Sequence, residues 1–341
     1  MYKEKRLSRS EFVPIRGLEY HVRIWQDQTQ AQAASALPPL VLVHGWMDVA
    51  ASYQFMVDAL SDAFAAGRTI IAPDWRGFGQ TAVAGAGARI GFSSAPADEK
   101  SAASADRALP AVQSPGAVDS YWFPDYLADL DFLLDHYVQA RPVDLVGHSM
   151  GGNVVMSYAA IRPQRIHKLV NLEGFGQPAA PSSDAPERYG KWMDALKSLQ
   201  RGELHLKAYS DVGGVARRLM RTNPRLSADK ANWLANHWAQ ADASGQWHIL
   251  GDPAHKIISA NLYRVEETLA LYKRISAPLL AVEASDDSIG KWWKDDYSLG
   301  EYHERLKLVP NAQIAVIEDA GHMLHHDQPA QLAELLEGFL N

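Results

Sequence analysis

Short, continuous apolar runs alternate along the chain with longer segments of helical spacing. The run "LVLVHGW" (40–46) is typical of a strand buried on both faces of a parallel sheet. In "FPDYLADLDFLLDHYVQA" (123–140), apolar side chains recur at three- and four-residue intervals, which predicts a helix with one buried face. This alternation predicts an α/β fold, with a parallel sheet covered by helices on both faces.

Both ends of the chain extend the same pattern. Near the start, "EFVPIRG" (11–17) and "LEYHVRIWQD" (18–27) predict two short strands that meet at a glycine, as in a hairpin. Near the end, "APLLAVEASDD" (277–287) and "AQIAVIEDAGHM" (312–323) predict two more strands. The segment "QPAQLAELLEGFL" (328–340) predicts a closing helix, so the α/β core draws on both ends of the sequence.

Two segments interrupt this pattern. Residues 82–118 are rich in Ala, Ser, Gly and Pro and have no sustained period, which predicts a long flexible insertion. Residues 177–271 are rich in tryptophan, have mostly helical spacing and contain no buried-strand run, which indicates a helical cap. We therefore divide the chain into a first core part, 1–176, the cap, and a second core part, 272–341.

Composition restricts the classes of partner and the location. With 47% hydrophobic and 21% charged residues, the 341-residue chain is ordinary for a globular protein with a large core. Its net charge of −7 argues against a nucleic-acid partner. It has no cysteine, no secretory signal and no apolar run long enough to span a membrane. We expect a cytoplasmic protein that acts on a small molecule, and we leave homo-oligomerisation open.

A serine between glycines marks the candidate chemistry. Residues 147–151 fit the pattern G-x-S-x-G, with a strand-like run before them and helical spacing after them. In a nucleophile elbow, glycines let the chain turn sharply and hold the serine strained, with its Oγ exposed. Ser149 is therefore the predicted nucleophile, and the alternative is a polar residue in a tight turn.

A serine hydroxyl needs a general base. His322 follows a predicted strand late in the chain, which fits the order serine, acid, histidine. We expect His148 to point away from the serine side chain and His44 to brace its own loop. His325 and His326 follow His322 at a spacing compatible with metal binding, but no carboxylate accompanies them in a recognised zinc pattern. We therefore expect no metal and no cofactor.

Two carboxylates compete for the role of the acid that orients the base. Asp287 follows the predicted strand that precedes the histidine-bearing strand, with Asp286 as a substitute if the turn is one residue longer. Glu173 ends the strand after the serine's helix, where a carboxylate among apolar residues needs a partner. For each, the alternative is a helix cap or a turn charge. We favour Asp287 over Glu173.

Acyl transfer also needs N–H donors for the developing oxyanion. The backbone N–H of Trp46, after the glycine of "VHGW", is one candidate. The backbone N–H of Met150, directly after the serine, is the other. The alternative for "HGW" is a tight turn in which Trp46 only packs.

Five motifs, taken in chain order, resemble the α/β-hydrolase fold family: "LVLVHGW", "APDWRGFGQT", "VGHSMGG", "LLAVEASDD" and "DAGHMLHHDQPAQLAELLEGFL". The cap segment "WHILGDPAHKIISANLYRVEETLALYKRI" is similar to serine hydrolase-like members. The resemblance implies an eight-stranded, mostly parallel sheet flanked by helices, with a helical cap after the sixth strand. It assigns Ser149 as nucleophile, His322 as base and the Trp46 and Met150 backbone as oxyanion hole. It implies a structural turn at "DWRGFG" (74–79).

The sequence departs from the family at the acid. "EASDD" replaces the usual G-x-x-D turn, with Ala284 where glycine is usual, so Glu173 stays a candidate. Haloalkane dehalogenases and epoxide hydrolases of this fold use an aspartate nucleophile, so a serine here implies an ester, thioester, lactone, amide or activated C–C bond as target.

These observations predict a serine hydrolase, and among serine hydrolases a carboxylesterase for small to medium apolar acyl esters. A C–C bond hydrolase or lactonase would use the same serine and histidine. A non-catalytic ligand-binding protein on this fold is the alternative from a different class. The sequence does not define the substrate, because the cap side chains that face it cannot be identified from the pattern.

Overall fold

The computed structural model describes residues 2–26, 37–83 and 119–341. Its strands are β1 (Arg9–Ile15), β2 (Leu18–Trp25), β3 (Leu40–Val43), β4 (Ile70–Pro73), β5 (Ala82–Val83), β6 (Val143–His148), β7 (Ile166–Leu172), β8 (Ala208–Tyr209), β9 (Ala239–Ala241), β10 (Trp247–Ile249), β11 (Leu279–Ala284) and β12 (Ala312–Ile317). Its α-helices are α1 (Gln54–Ala59), α2 (Asp62–Ala65), α3 (Phe123–Val138), α4 (Met150–Ile161), α5 (Ala185–Gln200), α6 (Val212–Thr222), α7 (Ala228–Trp238), α8 (Val265–Tyr272), α9 (Ser288–Trp293), α10 (Leu299–Leu306), α11 (Leu324–Asp327) and α12 (Pro329–Leu340). Short 3₁₀ helices cover Ala50–Tyr53, Pro163–Arg165, Ser182–Asp184, Pro253–Lys256 and Lys294–Asp296.

One large sheet organises the core. Eight strands follow the order β1-β2-β4-β3-β6-β7-β11-β12, and the two-residue β5 pairs with β2 beside them. The pairs from β4 through β12 are parallel, whereas β1–β2 and β2–β4 are antiparallel. The predicted eight-stranded, mostly parallel sheet is confirmed, with β5 as a short addition. The predicted hairpin is present as well, with Gly17 at a φ of +79° in its turn.

The central strands are buried on both faces, as their apolar runs predicted. Along β3, Val41 and Val43 contribute to one apolar cluster, and Leu40 and Leu42 contribute to another. The first cluster also contains side chains of α3 and α4, and the second contains side chains of α1 and α12. Because alternate strand residues point to opposite faces, one short strand joins two layers of helices.

Residues 177–271 follow β7, the sixth of the eight strands in chain order. They form α5 to α8 and a separate three-stranded sheet in the order β8-β10-β9. We had not predicted this small sheet, because its strands are only two or three residues long and carry no readable alternation. An apolar cluster of α6 and α7 side chains also includes Val49 and Phe55 of the core, and this packing attaches the segment to the core.

The predicted insertion at 82–118 begins with Ala82 and Val83, which form β5. Its remaining residues, 84–118, lie outside the described residues. Within the parts of the chain that the structure covers, no helix is both long and apolar enough to cross a membrane.

Candidate active site

Ser149 lies on a sharp turn between the end of β6 and the start of α4. Its φ of +54° and ψ of −116° are values that a residue with a side chain rarely adopts. The turn needs glycines nearby: a Cβ on Gly147 would lie 2.3 Å from the carbonyl oxygen of Gly151, and a Cβ on Gly151 would lie 2.4 Å from that of Val43. The geometry is that of a nucleophile elbow, with the serine at a helix N-terminus.

The loop after β3 packs directly against this turn. A Cβ on Gly45 would lie 3.0 Å from the Cβ of Ser149. His44 holds the loop in place, since its Nε2 accepts a hydrogen bond from the Trp75 N–H at 2.9 Å and its Nδ1 lies 2.8 Å from the Gly45 carbonyl oxygen. His44 is therefore a bracing residue, as we expected, and the loop places Gly45, the residue before Trp46, beside the turn at Ser149.

His322 lies in the loop between β12 and α11. Its carbonyl oxygen is 2.7 Å from Nε2 of His148, the residue that directly precedes Ser149. The structure thus brings His322 beside the turn at Ser149, although 174 positions of sequence separate His322 from His148. Among the described residues, Ser149 and His322 form no direct hydrogen bond, a contact that is often long in enzymes without substrate.

Glu173 is the carboxylate that contacts His322. Its Oε2 lies 3.2 Å from Nδ1 of His322, and its Oε1 accepts a hydrogen bond from the Ala284 N–H at 2.7 Å. The backbone at Glu173 is strained, with a φ of +56°, and the side chain of Asn171 braces this turn through two hydrogen bonds to the backbone of Gly174. The turn after β7 therefore aims a buried carboxylate at the imidazole.

Asp287, the carboxylate that we favoured from the sequence, is not beside His322. It is exposed, and its Oδ1 accepts a hydrogen bond from the Gly290 N–H at 2.8 Å, which caps α9. Asp286 pairs with Arg225 at 3.0 Å and with Lys291 at 3.1 Å. Our preference for Asp287 is therefore corrected in favour of Glu173, since Asp287 took the helix-cap role that we had named as its alternative.

Burial sets the charge states of the contacting pair. It raises the pKa of the Glu173 carboxyl to about 7, although hydrogen bonds from Ser288 and from the Ala284 N–H oppose this shift. Burial also lowers the pKa of the His322 imidazole to about 3, so the ring is neutral at pH 7. A neutral imidazole is the form that can accept a proton from a serine.

The two oxyanion-hole candidates belong to segments that adjoin Ser149. Met150 is the first residue of α4, so its N–H has no acceptor within the helix. Trp46 follows Gly45, which packs against the Ser149 Cβ. The structure therefore places Met150 and the residue before Trp46 beside Ser149.

Two tryptophans rim this site. Trp46 is 54% exposed and Trp292 is 46% exposed. The ring of Trp292 contacts the His322 ring edge-on, at 4.3 Å between centroids. Five further tryptophans make packing contacts: Trp238 is buried, Trp233 packs on Phe55, Trp247 and Trp293 join apolar clusters, and Trp192 contacts Trp122.

Sequence reasoning missed one residue of the site. Ser288, the first residue of α9, is buried and counteracts the rise that burial causes in the pKa of the Glu173 carboxyl. It directly follows the Asp286–Asp287 pair, and no pattern in the sequence marks it as a neighbour of Glu173.

The turn at 74–79 is structural, as the resemblance implied: both carboxylate oxygens of Asp74 accept hydrogen bonds, from the N–H groups of Ala50 and Gln80.

Comparison with known proteins agrees with this architecture. The family model described as alpha/beta hydrolase fold matches residues 38–329. The chain belongs to the α/β-hydrolase fold family. This α/β-hydrolase is similar to the AB hydrolase superfamily protein YfhM of Bacillus subtilis, with 21% identity over 97% of each chain.

Two further similarities concern named hydrolases. The α/β-hydrolase is 22% identical to the sn-1-specific diacylglycerol lipase ABHD11 of Xenopus laevis, over 85% of this chain and 76% of the other. Among solved structures, the thioesterase domain from the curacin biosynthetic pathway superimposes with a TM-score of 0.71 and 21% identity, over 97% of this chain and 99% of that one. Together with the family match, these similarities support a hydrolase.

Proposed function

We propose that this α/β-hydrolase is a serine hydrolase, and specifically a carboxylesterase that cleaves small to medium apolar acyl esters through an acyl-enzyme. The observation that carries the proposal is the contact of Glu173 with His322 beside a serine held at positive φ. A nucleophile turn, a neutral imidazole and a carboxylate that orients it are the three parts of a catalytic triad.

The proposed reaction begins with attack of Ser149 Oγ on the ester carbonyl, while Nε2 of His322 accepts the serine proton. The Glu173 carboxylate holds Nδ1–H of His322 and stabilises the imidazolium that forms. The N–H groups of Trp46 and Met150 stabilise the tetrahedral oxyanion. The imidazolium then protonates the leaving alcohol, and water activated by the same imidazole releases the acid from Ser149.

The rim of the site favours an apolar acyl group. Exposed aromatic rings at Trp46 and Trp292 offer apolar surface directly beside the predicted position of the carbonyl. The named relatives include a lipase and a thioesterase domain, and both of those names refer to acyl transfer from an ester or thioester. A carboxylic ester is therefore the substrate class that we infer.

A panel of p-nitrophenyl esters graded by acyl length tests this proposal. We expect turnover of short and medium acyl esters, with loss of turnover in Ser149→Ala. Circular dichroism of the Ser149→Ala protein confirms that the fold is retained. Unchanged hydrolysis by Ser149→Ala contradicts the proposal. Turnover of a vinylogous C–C substrate with little ester activity would instead favour the C–C hydrolase.

A further inference from the structure

A cluster of buried polar side chains lies next to the proposed triad and takes no part in it. Asp48 comes from the loop after β3, His148 ends β6, and His325 belongs to α11. All three are at most 4% exposed. Asp48 Oδ2, His148 Nδ1 and both ring nitrogens of His325 are buried and have no hydrogen-bond partner among the described residues. Unsatisfied buried polar atoms are costly, so their presence together needs an explanation.

The three side chains come together in one region. Asp48, His148 and His325 each offer one ligand atom, and the three atoms lie within 4.8 Å of one another. Asp48 Oδ2 and His325 Nε2 are 3.9 Å apart, which is too long for a hydrogen bond. Ligands about 2.0–2.2 Å from a zinc ion lie roughly 3–4 Å apart, so the widest of these separations would have to shorten by up to about 1–2 Å.

Neighbouring contacts fix which atom of each side chain is available. Nε2 of His148 donates to the carbonyl oxygen of His322 at 2.7 Å, which leaves a lone pair on Nδ1. Oδ1 of Asp48 accepts hydrogen bonds from Ser52 and, at 3.1 Å, from the indole N–H of Trp238, which leaves Oδ2 free. In metal sites, a ligand side chain typically binds the metal through one atom while a hydrogen bond holds its second nitrogen or oxygen in place.

The charge states of the three side chains also favour a bound divalent ion. Burial lowers the pKa values of His148 and His325, so both rings are neutral and able to donate a lone pair. One carboxylate beside two neutral imidazoles forms a set of nitrogen and oxygen ligands that suits a first-row divalent ion. A divalent ion would compensate the buried carboxylate charge and satisfy the unpartnered atoms at once.

We propose that Asp48, His148 and His325 bind one first-row divalent metal ion, with Zn²⁺ as the best match, in a structural site behind the nucleophile turn. The set differs from the three histidines 322, 325 and 326 whose spacing we considered in the sequence, because only His325 is common to both. The ion takes no part in the proposed ester hydrolysis. It would hold His148, and through it the main chain of Ser149 and His322, in place.

The competing explanation is a set of polar groups that hold only water or one another. The two explanations differ in the effect of Asp48→Asn, which keeps an oxygen for Ser52 and Trp238. Without a metal, this change removes an uncompensated buried charge and leaves thermal stability equal or higher. With a metal, it removes a ligand and lowers the metal content.

The test measures metal content by plasma mass spectrometry on the full-length chain. One sample is purified from zinc-supplemented cells without a chelator or a nickel column, and another is refolded with Zn²⁺ or Co²⁺ after unfolding with a chelator. We expect about one ion per chain in the wild type, and a Co²⁺ absorption spectrum typical of low-coordinate nitrogen and oxygen ligation. Asp48→Asn and His325→Gln are expected to retain less than about a tenth of that content.

His326→Gln is the matched control, because it removes a neighbouring buried histidine that is outside the ligand set. We expect it to keep its metal. If His325→Gln does not fold, Asp48→Asn decides the outcome, and if refolding fails, the protein purified from zinc-supplemented cells decides it. The proposal is overturned if wild-type protein holds less than about a tenth of an ion per chain, or if Asp48→Asn holds as much as the wild type.

Discussion

Nδ1 of His322 lies 3.2 Å from Oε2 of Glu173, a carboxylate at the end of β7 rather than β11. β7 and β11 are parallel neighbours in the sheet. Their carboxyl ends therefore meet at one edge, and a carboxylate from either strand can reach the same imidazole. In this chain the strand β7 supplies it, and Ala284 of β11 donates its N–H to hold it.

The acid is tested by a pair of isosteric variants. Glu173→Gln is expected to lower kcat for an ester substrate by about 10³–10⁴-fold, because the amide cannot hold the imidazole in its catalytic tautomer. Asp287→Asn is expected to change kcat by less than about 3-fold, because asparagine caps α9 as well as aspartate does. Steady-state kinetics on p-nitrophenyl butyrate compares the two, and a larger loss in Asp287→Asn would contradict the assignment.

The pH profile follows from the raised pKa of Glu173. A proton on the pair of Glu173 and His322 prevents the imidazole from accepting the serine proton, so activity requires the deprotonated pair. With the pKa of Glu173 at about 7, kcat/KM should rise with pH through this region and level off above it. To check this, kcat/KM is measured between pH 5 and about 9, and the rise near pH 7 should be absent in Glu173→Gln. A profile that is flat across this range in the wild type would contradict the account.

The same carboxyl gives a pH-dependent contribution to folding. Its pKa rises from an ordinary 4.5 to about 7 in the folded chain, so the favourable contribution is full below pH 4.5 and is lost as pH rises through 7. A shift of this size corresponds to about 3 kcal/mol. The stability of Glu173→Gln relative to the wild type should therefore increase between pH 4.5 and pH 8, as measured by urea unfolding. A constant difference across that range would contradict the shift.

The close packing of the nucleophile turn predicts contrasting effects of two glycine substitutions. Gly147→Ala should destabilise the fold by about 1–3 kcal/mol, because its Cβ would meet the backbone of Gly151 at 2.3 Å. Gly190→Ala, inside helix α5 with nothing within 4 Å of the added Cβ, should stabilise it by about 0.5–1 kcal/mol. Urea unfolding of both variants at one pH checks the contrast, and equal effects would mean that the turn is not sterically tight.

Much of the fold was predictable because its signals are local. The apolar run at β3 and the helical stripe of α3 each specify an element without reference to the rest of the chain. The small sheet β8-β10-β9 was not predictable in the same way, because its two- and three-residue strands are defined by their partners and not by their own pattern.

The site was predictable to the extent that it depends on a single turn. The sharp turn at Ser149 requires small residues around it, so the glycines alone indicate the turn. The order of the motifs then leads to His322. The identity of the acid depends instead on which of two strand ends approaches the histidine, and tertiary packing sets that distance. The informative signals were the carboxylate of Glu173 at the end of a buried strand and Ala284 in place of a glycine.

Covalent labelling of Ser149 tests the central claim most directly. The folded wild-type protein is treated with a fluorophosphonate at pH 8 and digested, and the modified peptide is identified by tandem mass spectrometry. We predict one adduct per chain on Ser149, no adduct in Ser149→Ala and much slower labelling in His322→Gln, because the serine then lacks its base. The absence of an adduct on Ser149 in the folded wild-type protein, or equal labelling of His322→Gln, would contradict the account.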